Sequence, residues 1–349
     1  MIALIGPAYP WRWWIAHHTN NLINALMDTW VNVKIYTFSR QYPKFLYPGK
    51  SQKEPIGSVN PLRVPSFPTL NPINPFTWLV TARDIIHEKP THCLIQYWHP
   101  FFAPCFTVIS WLLKIKGIKT ICIVQTLIPH DRHYADSWLI RFFFSQISGA
   151  VLDKSMYEQF KILFPRLPFK LIPLPVFSQF GEPVSVIVAR KYLSLPQDKN
   201  ILLFFGFIRK YKGLDILLRA LPEIIKENPK IHLLVVGECF WDYEKYENII
   251  LENKITEQVT SHIKYVPNEE VRYWFGACDL LVMPYRHIIN SGVENIWKIY
   301  AQKSLITLGS TPKDLAKKII KAMASKPQHI EKFWWQEYVK NLQIFLKSV

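Results

Sequence analysis

The amino-acid sequence predicts an α/β protein with two doubly wound parallel-sheet domains. Short apolar segments of strand type alternate along the chain with amphipathic segments of helix type. This order places helices on both faces of a parallel sheet. A length of 349 residues suits two domains better than one. A proline-rich stretch, residues 173–184, separates two such series and predicts an interdomain linker.

The first series predicts an N-terminal domain over residues 1–175. Its strands are expected at 2–5, 31–38, 93–97, 120–124, 149–152 and 169–172, and its helices at 15–27, 76–87, 101–116, 137–145 and 155–164. Residues 39–75 are rich in proline and predict a long irregular loop, a feature that is often functional in compact domains.

The second series predicts a C-terminal domain over residues 185–325, followed by a tail at 326–349. Its strands are expected at 201–205, 231–236, 262–265, 280–283 and 305–308, and its helices at 213–226, 241–253, 268–276, 292–302 and 312–324. The aromatic-rich tail predicts a helix that packs back across the domains. Ligands of such sheets bind at the carboxyl ends of the strands, so we expect a site in a cleft between the halves.

Composition favours an anionic partner and a reducing compartment. The formal net charge is +16, and 49% of the residues are hydrophobic. The five cysteines form no C-x-x-C pair, which argues against a zinc knuckle and for reduced thiols in the cytoplasm. The N-terminus has no basic leader, and the most apolar stretch, residues 101–113, is too short to span a bilayer. We therefore expect any membrane contact to be peripheral.

The most informative segment joins the strand at 201–205 to the helix at 213–226. The strand ends at Gly206, a loop with Arg209 and Lys212 follows, and Gly213 opens the helix. A helix N-terminus offers unpaired N–H groups and partial positive charge, and the two cations add full charges. The segment therefore predicts a phosphate site. The alternative is a basic surface loop on an ordinary βα unit.

Several strings in one order resemble bacterial glycosyltransferases of family 4, a group 1 family with the GT-B fold. They are IALIGPAYPWR (2–12), RQYPKFLYPGKSQ (40–52), YWHPFFAP (97–104), FFGFIRKYKGLD (204–215), VVGE (235–238), YVPNEEVRYWFGACDLLVMPYR (265–286) and SGVENI (291–296). The resemblance implies a GT-B-like fold whose two Rossmann-like domains face a central cleft. It also implies sugar transfer from a nucleotide-diphosphate donor to an acceptor hydroxyl, with retention at the anomeric carbon.

The resemblance also assigns donor-side residues in the C-terminal domain. Arg209 and Lys212 are implied to hold the donor diphosphate, with Gly206 beside them. The chain has no D-x-D motif, so no metal and no cofactor beyond the nucleotide sugar are expected. Glu238 follows the strand at 231–236 in the turn that lies beside the nucleotide in the family, unless it is a surface turn. Further donor-side candidates are Ser291, Gly292 and Val293, whose alternative is a plain helix N-cap.

On the acceptor side, in the N-terminal domain, His99 and His130 are the catalytic candidates. His99 follows a strand end, and His130 lies where the family has acceptor-side residues. The alternative is that both histidines are structural, with their ring nitrogens hydrogen-bonded within the fold.

Four departures from the family fall near the expected chemistry. Trp13 and Trp14 stand where many relatives carry two glycines, and Gln125 stands where relatives have a histidine-containing turn. The two tryptophans could form a stacking wall or block the site, and Gln125 cannot exchange a proton near neutral pH. Ile288 and Ile296 occupy places of paired glutamates, and relatives have a longer segment at 309–313. These departures keep open a weakened or inactive relative that binds a nucleotide or a partner.

The expected function is therefore glycosyl transfer in polysaccharide, glycolipid or glycan synthesis, in the cytoplasm. The expected partners are a nucleotide-diphosphate sugar and a sugar, lipid-linked or glycan acceptor. Basic residues are scattered, and no nucleic-acid-binding motif is present, so nucleic acid is not expected. An anionic membrane surface is a further candidate partner, with residues 138–145 as the contact unless they pack in the core.

Overall fold

The computed structural model describes residues 1–43, 51–127, 134–177, 179–239, 242–286, 292–300, 303–326 and 332–349. The chain divides into two units. Unit 1 holds Met1–Pro175 together with Phe333–Val349, and unit 2 holds Val176–Lys332. Each unit is built on a parallel sheet of its own, which confirms the predicted α/β class.

Unit 1 alternates strands with helices. Its elements are β1 (Ile2–Ile5), α1 (Trp14–Asp28), β2 (Val33–Phe38), β3 (Ser66–Leu70), α2 (Pro75–Glu88), β4 (His92–Tyr97), α3 (Ala103–Ile115), β5 (Lys119–Val124), α4 (Tyr134–Phe144), β6 (Gly149–Leu152), α5 (Tyr157–Leu163) and β7 (Phe169–Leu171). Among the described residues, seven strands pair in the order β3-β2-β1-β4-β5-β6-β7.

The centre of this sheet is apolar on both faces. All four residues of β1 are buried, as expected for a parallel strand covered by helices on either side. The neighbours of β1 are β2 and β4, and Ile2 is level with Val33 on one side and His92 on the other. The strand order reverses between β1 and β4, and such a switch point opens a crevice at the carboxyl ends of the strands.

Unit 2 repeats the architecture on a smaller scale. Its elements are α6 (Val186–Tyr192), β8 (Asn200–Phe205), α7 (Leu214–Glu227), β9 (Ile231–Val236), α8 (Glu244–Glu252), β10 (Val259–His262), α9 (Asn268–Ala277), β11 (Leu280–Tyr285), α10 (Gly292–Tyr300), β12 (Ser304–Leu308) and α11 (Pro312–Ala324). In the described part of this unit, five parallel strands pair in the order β10-β9-β8-β11-β12. Its switch point lies between β8 and β11.

The tail forms the last helix, α12 (Trp335–Ser348), which belongs to unit 1. It packs against α1. The rings of Trp335 and Tyr338 meet the imidazole of His18 edge to face at 5.0 and 5.6 Å between centroids. Trp335 and Tyr338 are therefore buried within unit 1.

Three elements differ from the sequence expectations. The segment at 39–75 contains β3, a strand at the sheet edge that holds Pro68, and prolines are tolerated at such edges. Helix α6 was not predicted, because its start is β-branched and its stability comes from contacts outside the helix. Strand β10 lies at Val259–His262 rather than at 262–265, since edge strands need little apolar character.

None of the helices in the described ranges combines the length and the apolar character that a membrane span requires.

Arg190 fastens α6 to the rest of unit 2. Its buried guanidinium donates to the carbonyl oxygens of Ala277 at 3.0 Å, Gln197 at 2.9 Å and Lys199 at 3.1 Å. It also donates to Asp279 Oδ2 at 2.8 Å, the same oxygen that accepts from the backbone N–H of Ile201 at 2.6 Å. One side chain therefore joins α6, the start of β8 and the start of β11.

We expect Arg190→Met to lower the free energy of unfolding by about 3 kcal/mol, because it leaves Asp279 without its cationic partner and three carbonyl groups without the guanidinium donor. Denaturant unfolding measures this loss. The control is Arg219→Met on the exposed side of α7, for which the expected change is within about 0.5 kcal/mol. Equal losses for the two variants would contradict the role of Arg190.

Candidate functional site

The loop between β8 and α7 is pressed against the end of β11. Gly213, the residue before α7, has φ +73°, and a Cβ atom built on it would lie 2.0 Å from the carbonyl oxygen of Pro284. Only glycine fits this position. A short 3-10 helix, Lys210–Lys212, precedes it and carries two of the loop cations. The close approach therefore fixes the loop at the switch point of the unit 2 sheet.

A second glycine contact joins the ends of β8 and β9. Gly206 has φ +94°, and its N–H donates to the carbonyl oxygen of Val236 at 2.9 Å. Gly237 has φ +140°, and a Cβ atom there would lie 2.3 Å from the carbonyl oxygen of Gly206. The turns after the two strands thus lie in direct backbone contact.

Lys212 ends in this glycine-lined space. A Cβ atom on Gly206 would lie 2.9 Å from Lys212 Nζ and 3.4 Å from Cγ2 of Val293, near the start of α10. The only hydrogen bond of Lys212 Nζ within the described ranges goes to the carbonyl oxygen of Phe205 at 3.5 Å, the weak end of the range. The end of β8, the loop and the start of α10 therefore come together around Gly206.

The charge of Lys212 is not compensated by the chain. The residue is only 6% exposed, and no carboxylate within the described ranges pairs with it. Burial, with a smaller contribution from the charge of Arg209, lowers the pKa of Lys212 to about 7. A buried cation that lacks an anion is costly, so the site is built to accept a negative group.

Arg209 is the second cation of the site. It is half-buried, and none of the described residues forms a hydrogen bond or ion pair with its guanidinium. Its charge also acts on Tyr211, whose pKa rises through burial and is partly lowered again by Arg209. Arg209 and Lys212 thus repel each other unless an anion lies between or beside them.

Sequence reasoning missed the ion pair that holds this loop. Arg286, which follows β11, donates to Asp215 in the first turn of α7 and to the carbonyl oxygen of Lys210 at 3.1 Å. Its backbone N–H donates to the carbonyl oxygen of Tyr211 at 2.7 Å. Asp215 is therefore neutralised by Arg286 rather than by Lys212. The available signal was an acidic residue two positions after the loop glycine and an arginine after the strand.

Glu238 lies next to the same loop. Its carbonyl oxygen accepts from the N–H of Ile208 at 2.9 Å, and Ile208 forms a parallel bridge with Cys239. The Glu238 side chain is half-exposed. Glu238 follows the end of β9, and its backbone is hydrogen-bonded directly to the cationic loop. Its role toward a ligand stays a prediction.

The start of α10 is described only in part. Val293 is buried beside Gly206, and Gly292 is the first residue of the helix. Ser291 lies outside the described residues, as does Ile288. Ile296 is buried on α10.

In unit 1, Gln125 belongs to a buried polar chain. Its Nε2 donates to Gln96 Oε1 at 2.7 Å, and Gln96 Nε2 lies 3.0 Å from Nδ1 of His18. All three residues are buried, and burial lowers the pKa of His18 to about 3, so its imidazole is neutral and Nδ1 can accept. Gln125 Oε1 and His18 Nε2 find no partner within the described ranges.

The polar chain formed by Gln125, Gln96 and His18 lies at the switch point of the unit 1 sheet. Gly6 follows β1, and a Cβ atom there would lie 2.8 Å from Cγ of Gln96. Gln96 is in β4 and Gln125 directly follows β5. Sequence reasoning singled out Gln125 but missed Gln96 and His18, because neither occurs in a motif.

Trp13 has the backbone conformation of a glycine. Its φ of 93° and ψ of 159° lie in a region that non-glycine residues enter at a cost of about 1–3 kcal/mol. This is the place where the resemblance expects glycine. Trp13 is half-exposed before α1, while Trp14 starts the helix and packs against the core of unit 1.

His99 caps a short helix. Its Nδ1 accepts from the N–H of Phe101 at 3.1 Å, at the start of the 3-10 helix Pro100–Phe102. One of its two ring nitrogens is therefore used by the backbone. His130 lies outside the described residues.

The described residues contain no group of three or more His, Cys, Asp or Glu side chains arranged to hold a metal ion.

The comparisons with known proteins agree with this geometry. Residues 187–296 match the family of glycosyl transferases group 1. Over these residues the chain is therefore similar to a group 1 glycosyltransferase domain. The match contains the cationic loop, both glycine contacts and Val293. The assignment to family 4 stays a prediction.

Two curated relatives extend the likeness beyond that domain. A D-inositol 3-phosphate glycosyltransferase of Segniliparus rotundus is 23% identical over 229 residues, which cover 60% of this chain and 49% of that protein. A GDP-mannose:glycolipid 4-beta-D-mannosyltransferase of Xanthomonas campestris pv. campestris is 29% identical over 227 residues, covering 61% and 58%. This chain thus spans about half the length of these relatives.

Solved structures support the fold over the whole chain. HepE of Anabaena, solved in complex with UDP, has a TM-score of 0.73 at 12% identity and covers 100% of this chain and 99% of that one. WaaG, a glycosyltransferase involved in lipopolysaccharide biosynthesis, has a TM-score of 0.61 at 13% identity and covers 100% and 96%. The fold is that of the GT-B class.

The buried cation leads to a stability prediction. In the ligand-free protein the pKa of Lys212 is about 7, against 10.5 in the unfolded chain, so between these values unfolding takes up a proton. We therefore expect the free energy of unfolding to rise between pH 7 and 8.5, by up to about 1.4 kcal/mol per pH unit.

The variant Lys212→Met removes this group, so its pH slope should be smaller while its free energy of unfolding at pH 7 is equal or higher. Chemical denaturation at several pH values measures both. The exposed Lys210→Met serves as the matched control and should keep the wild-type slope. A Lys212→Met protein that is less stable than wild type at pH 7, with an unchanged slope, would contradict the account.

Proposed function

We propose that the protein is a glycosyltransferase that moves a sugar from a nucleotide-diphosphate sugar to an acceptor hydroxyl. The observation that carries this proposal is Lys212, a buried and uncompensated cation at the carboxyl edge of a parallel sheet. The group 1 domain and the named activities of the relatives support the reaction class. The UDP bound to the HepE structure supports a nucleotide ligand.

The donor side of the reaction follows from the charges. When the bond between the anomeric carbon and the diphosphate oxygen breaks, negative charge grows on the diphosphate. In this proposal Lys212 and Arg209 stabilise that charge, and a preorganised site does so without reorganising in the transition state. The N-terminus of α7 adds partial positive charge. Donor transfer therefore proceeds, in this proposal, without a metal ion.

The glycines serve the same end. Gly206 and Gly237 let the turns after β8 and β9 pack in direct contact beside Lys212, and Val293 lies on one side of Gly206. The backbone of Glu238 is hydrogen-bonded to the loop. From this position its side chain can accept hydrogen bonds from the nucleotide sugar. Gly292 and Ser291 complete the donor-side assignment as predictions.

The acceptor is assigned to unit 1. We expect Trp13, Trp14 and Gln125 to line its site, with His99 and His130 as the candidates for proton transfer. Oε1 of Gln125 has no hydrogen-bond donor among the described residues, which supports a polar ligand there. Retention at the anomeric carbon and work in polysaccharide, glycolipid or glycan synthesis are part of the proposal. So is a cytoplasmic location at the inner face of a membrane.

Nucleotide binding tests the donor site. We expect one of UDP, GDP or ADP to raise the thermal midpoint of the protein, because a ligand that binds only the folded state stabilises it. Arg209→Ala and Lys212→Met should each weaken that binding at least tenfold, since each removes a charge-assisted contact of about 1.5–3 kcal/mol. The exposed neighbour Lys210→Ala is the control and should change affinity less than threefold.

Turnover separates the enzyme from a binding protein. With the matching nucleotide sugar, release of the nucleotide should persist in the presence of EDTA and fall with Arg209→Ala. Nucleotide binding with no turnover on any donor and acceptor tried would favour the catalytically inactive relative. Binding that is insensitive to Arg209 and Lys212 would overturn the proposed site.

A further inference from the structure

Unit 1 exposes a row of large apolar side chains on two neighbouring helices. Trp111 and Ile115 on α3 are 50% and 59% exposed, and Trp138 and Phe142 on α4 are 65% and 51% exposed. Each pair is spaced by four residues, so its members lie on one face of their helix. The rings of Trp138 and Phe142 stack at 5.6 Å between centroids and 4° between planes.

These residues are not a misplaced part of the core. The inner side of α4 is already filled, since Phe143 stacks on Tyr97 of β4 at 5.3 Å and Phe144 stacks on Phe164 at 4.5 Å. These contacts fix the rotation of α4 about its axis. Of the segment at 138–145, the core thus takes Ile140, Phe143 and Phe144, while Trp138 and Phe142 face solvent.

Cations accompany the apolar row. Lys114 on α3, Lys116 directly after α3 and Arg141 on α4 are exposed. Lys114 Nζ donates to the carbonyl oxygen of Ser145 at 3.3 Å, which places a positive charge between α3 and the end of α4. We call these seven residues the α3–α4 surface: Trp111, Lys114, Ile115, Lys116, Trp138, Arg141 and Phe142.

Acidic residues do not offset this charge. Within the described part of α3 and α4, the one carboxylate is Asp136, which is half-buried. It precedes Trp138 by two residues, about 200° around the helix. Aromatic side chains beside a cluster of Lys and Arg match the interface of an anionic bilayer, where tryptophan sits at headgroup depth and cations meet the lipid phosphates.

We propose that the α3–α4 surface docks unit 1 on an anionic lipid membrane. The stacked Trp138 and Phe142 enter the interface together, and Lys114, Lys116 and Arg141 contact the headgroups. The inference deepens the proposed function, because it places the acceptor-side unit at the surface where a lipid-linked acceptor lies. Lipid binding and nucleotide binding are measured separately, so either can fail alone.

Vesicle co-sedimentation of the full chain tests the proposal. We expect wild type to pellet with vesicles of phosphatidylcholine mixed with phosphatidylglycerol, much less with phosphatidylcholine alone, and less as salt is raised. The double variant Trp138→Ser/Phe142→Ser should weaken binding about tenfold or more. Lys116→Gln/Arg141→Gln should weaken binding to the anionic vesicles about fivefold per charge and leave the weak neutral binding unchanged.

Matched controls lie elsewhere on the chain. Trp30→Ser/Ile187→Ser removes two apolar side chains that are 96% and 71% exposed, and Lys226→Gln/Lys321→Gln removes two exposed cations of unit 2. Both controls should bind vesicles as wild type does. Every variant should keep wild-type nucleotide affinity and circular dichroism, which shows that it is folded.

Three results would overturn the proposal. The first is wild-type protein that does not distinguish anionic from neutral vesicles. The second is equal loss of binding in the control variants. The third is wild-type protein that does not bind vesicles but self-associates without lipid, in a manner that Trp138→Ser/Phe142→Ser abolishes. The surface would then bind a second copy of the chain.

Discussion

The buried ammonium of Lys212 is the constraint on which the proposed donor site depends. Folding removes this cation from water and gives it one weak hydrogen bond, to the carbonyl oxygen of Phe205. Asp215, the acid in the first turn of α7, is already paired with Arg286. Arg209 adds a second positive charge, which further disfavours the protonated form of Lys212. An arrangement of this kind costs stability in the free protein and is repaid when an anion binds.

The backbone around Lys212 is organised by close contacts. The carbonyl oxygen of Pro284 leaves no space for a side chain at Gly213, and the carbonyl oxygen of Gly206 leaves none at Gly237. These contacts bring the carboxyl ends of β8, β9 and β11 to one place. In unit 1 the same edge carries the buried chain of Gln125, Gln96 and His18, while Trp13 takes a glycine conformation beside α1. Both sheets thus concentrate unusual residues at the reversal of strand order.

The sequence predicted the parts that depend on local pattern. Apolar runs such as Ile201–Phe205 specify buried parallel strands, and a glycine followed by two cations before a helix specifies the cationic loop at their carboxyl ends. Helix α6 escaped prediction because Arg190 stabilises it through contacts with Ala277 and Asp279, which lie 87 and 89 residues away. The Arg286–Asp215 pair and the Gln96–His18 contact escaped for the same reason, since 71 and 78 residues separate their members. Pairings of that range become visible only when the sheet has brought its strands together.

Proton uptake on nucleotide binding tests the central claim most directly. With the nucleotide that binds best, titration calorimetry at pH 8 in two buffers of different ionisation enthalpy counts the protons taken up. Lys212 is mostly neutral at that pH in the free protein and charged beside a diphosphate, so uptake should approach one proton and should fall toward zero at pH 6. Lys212→Met should take up none. Tight binding by wild type at pH 8 without proton uptake would contradict the account.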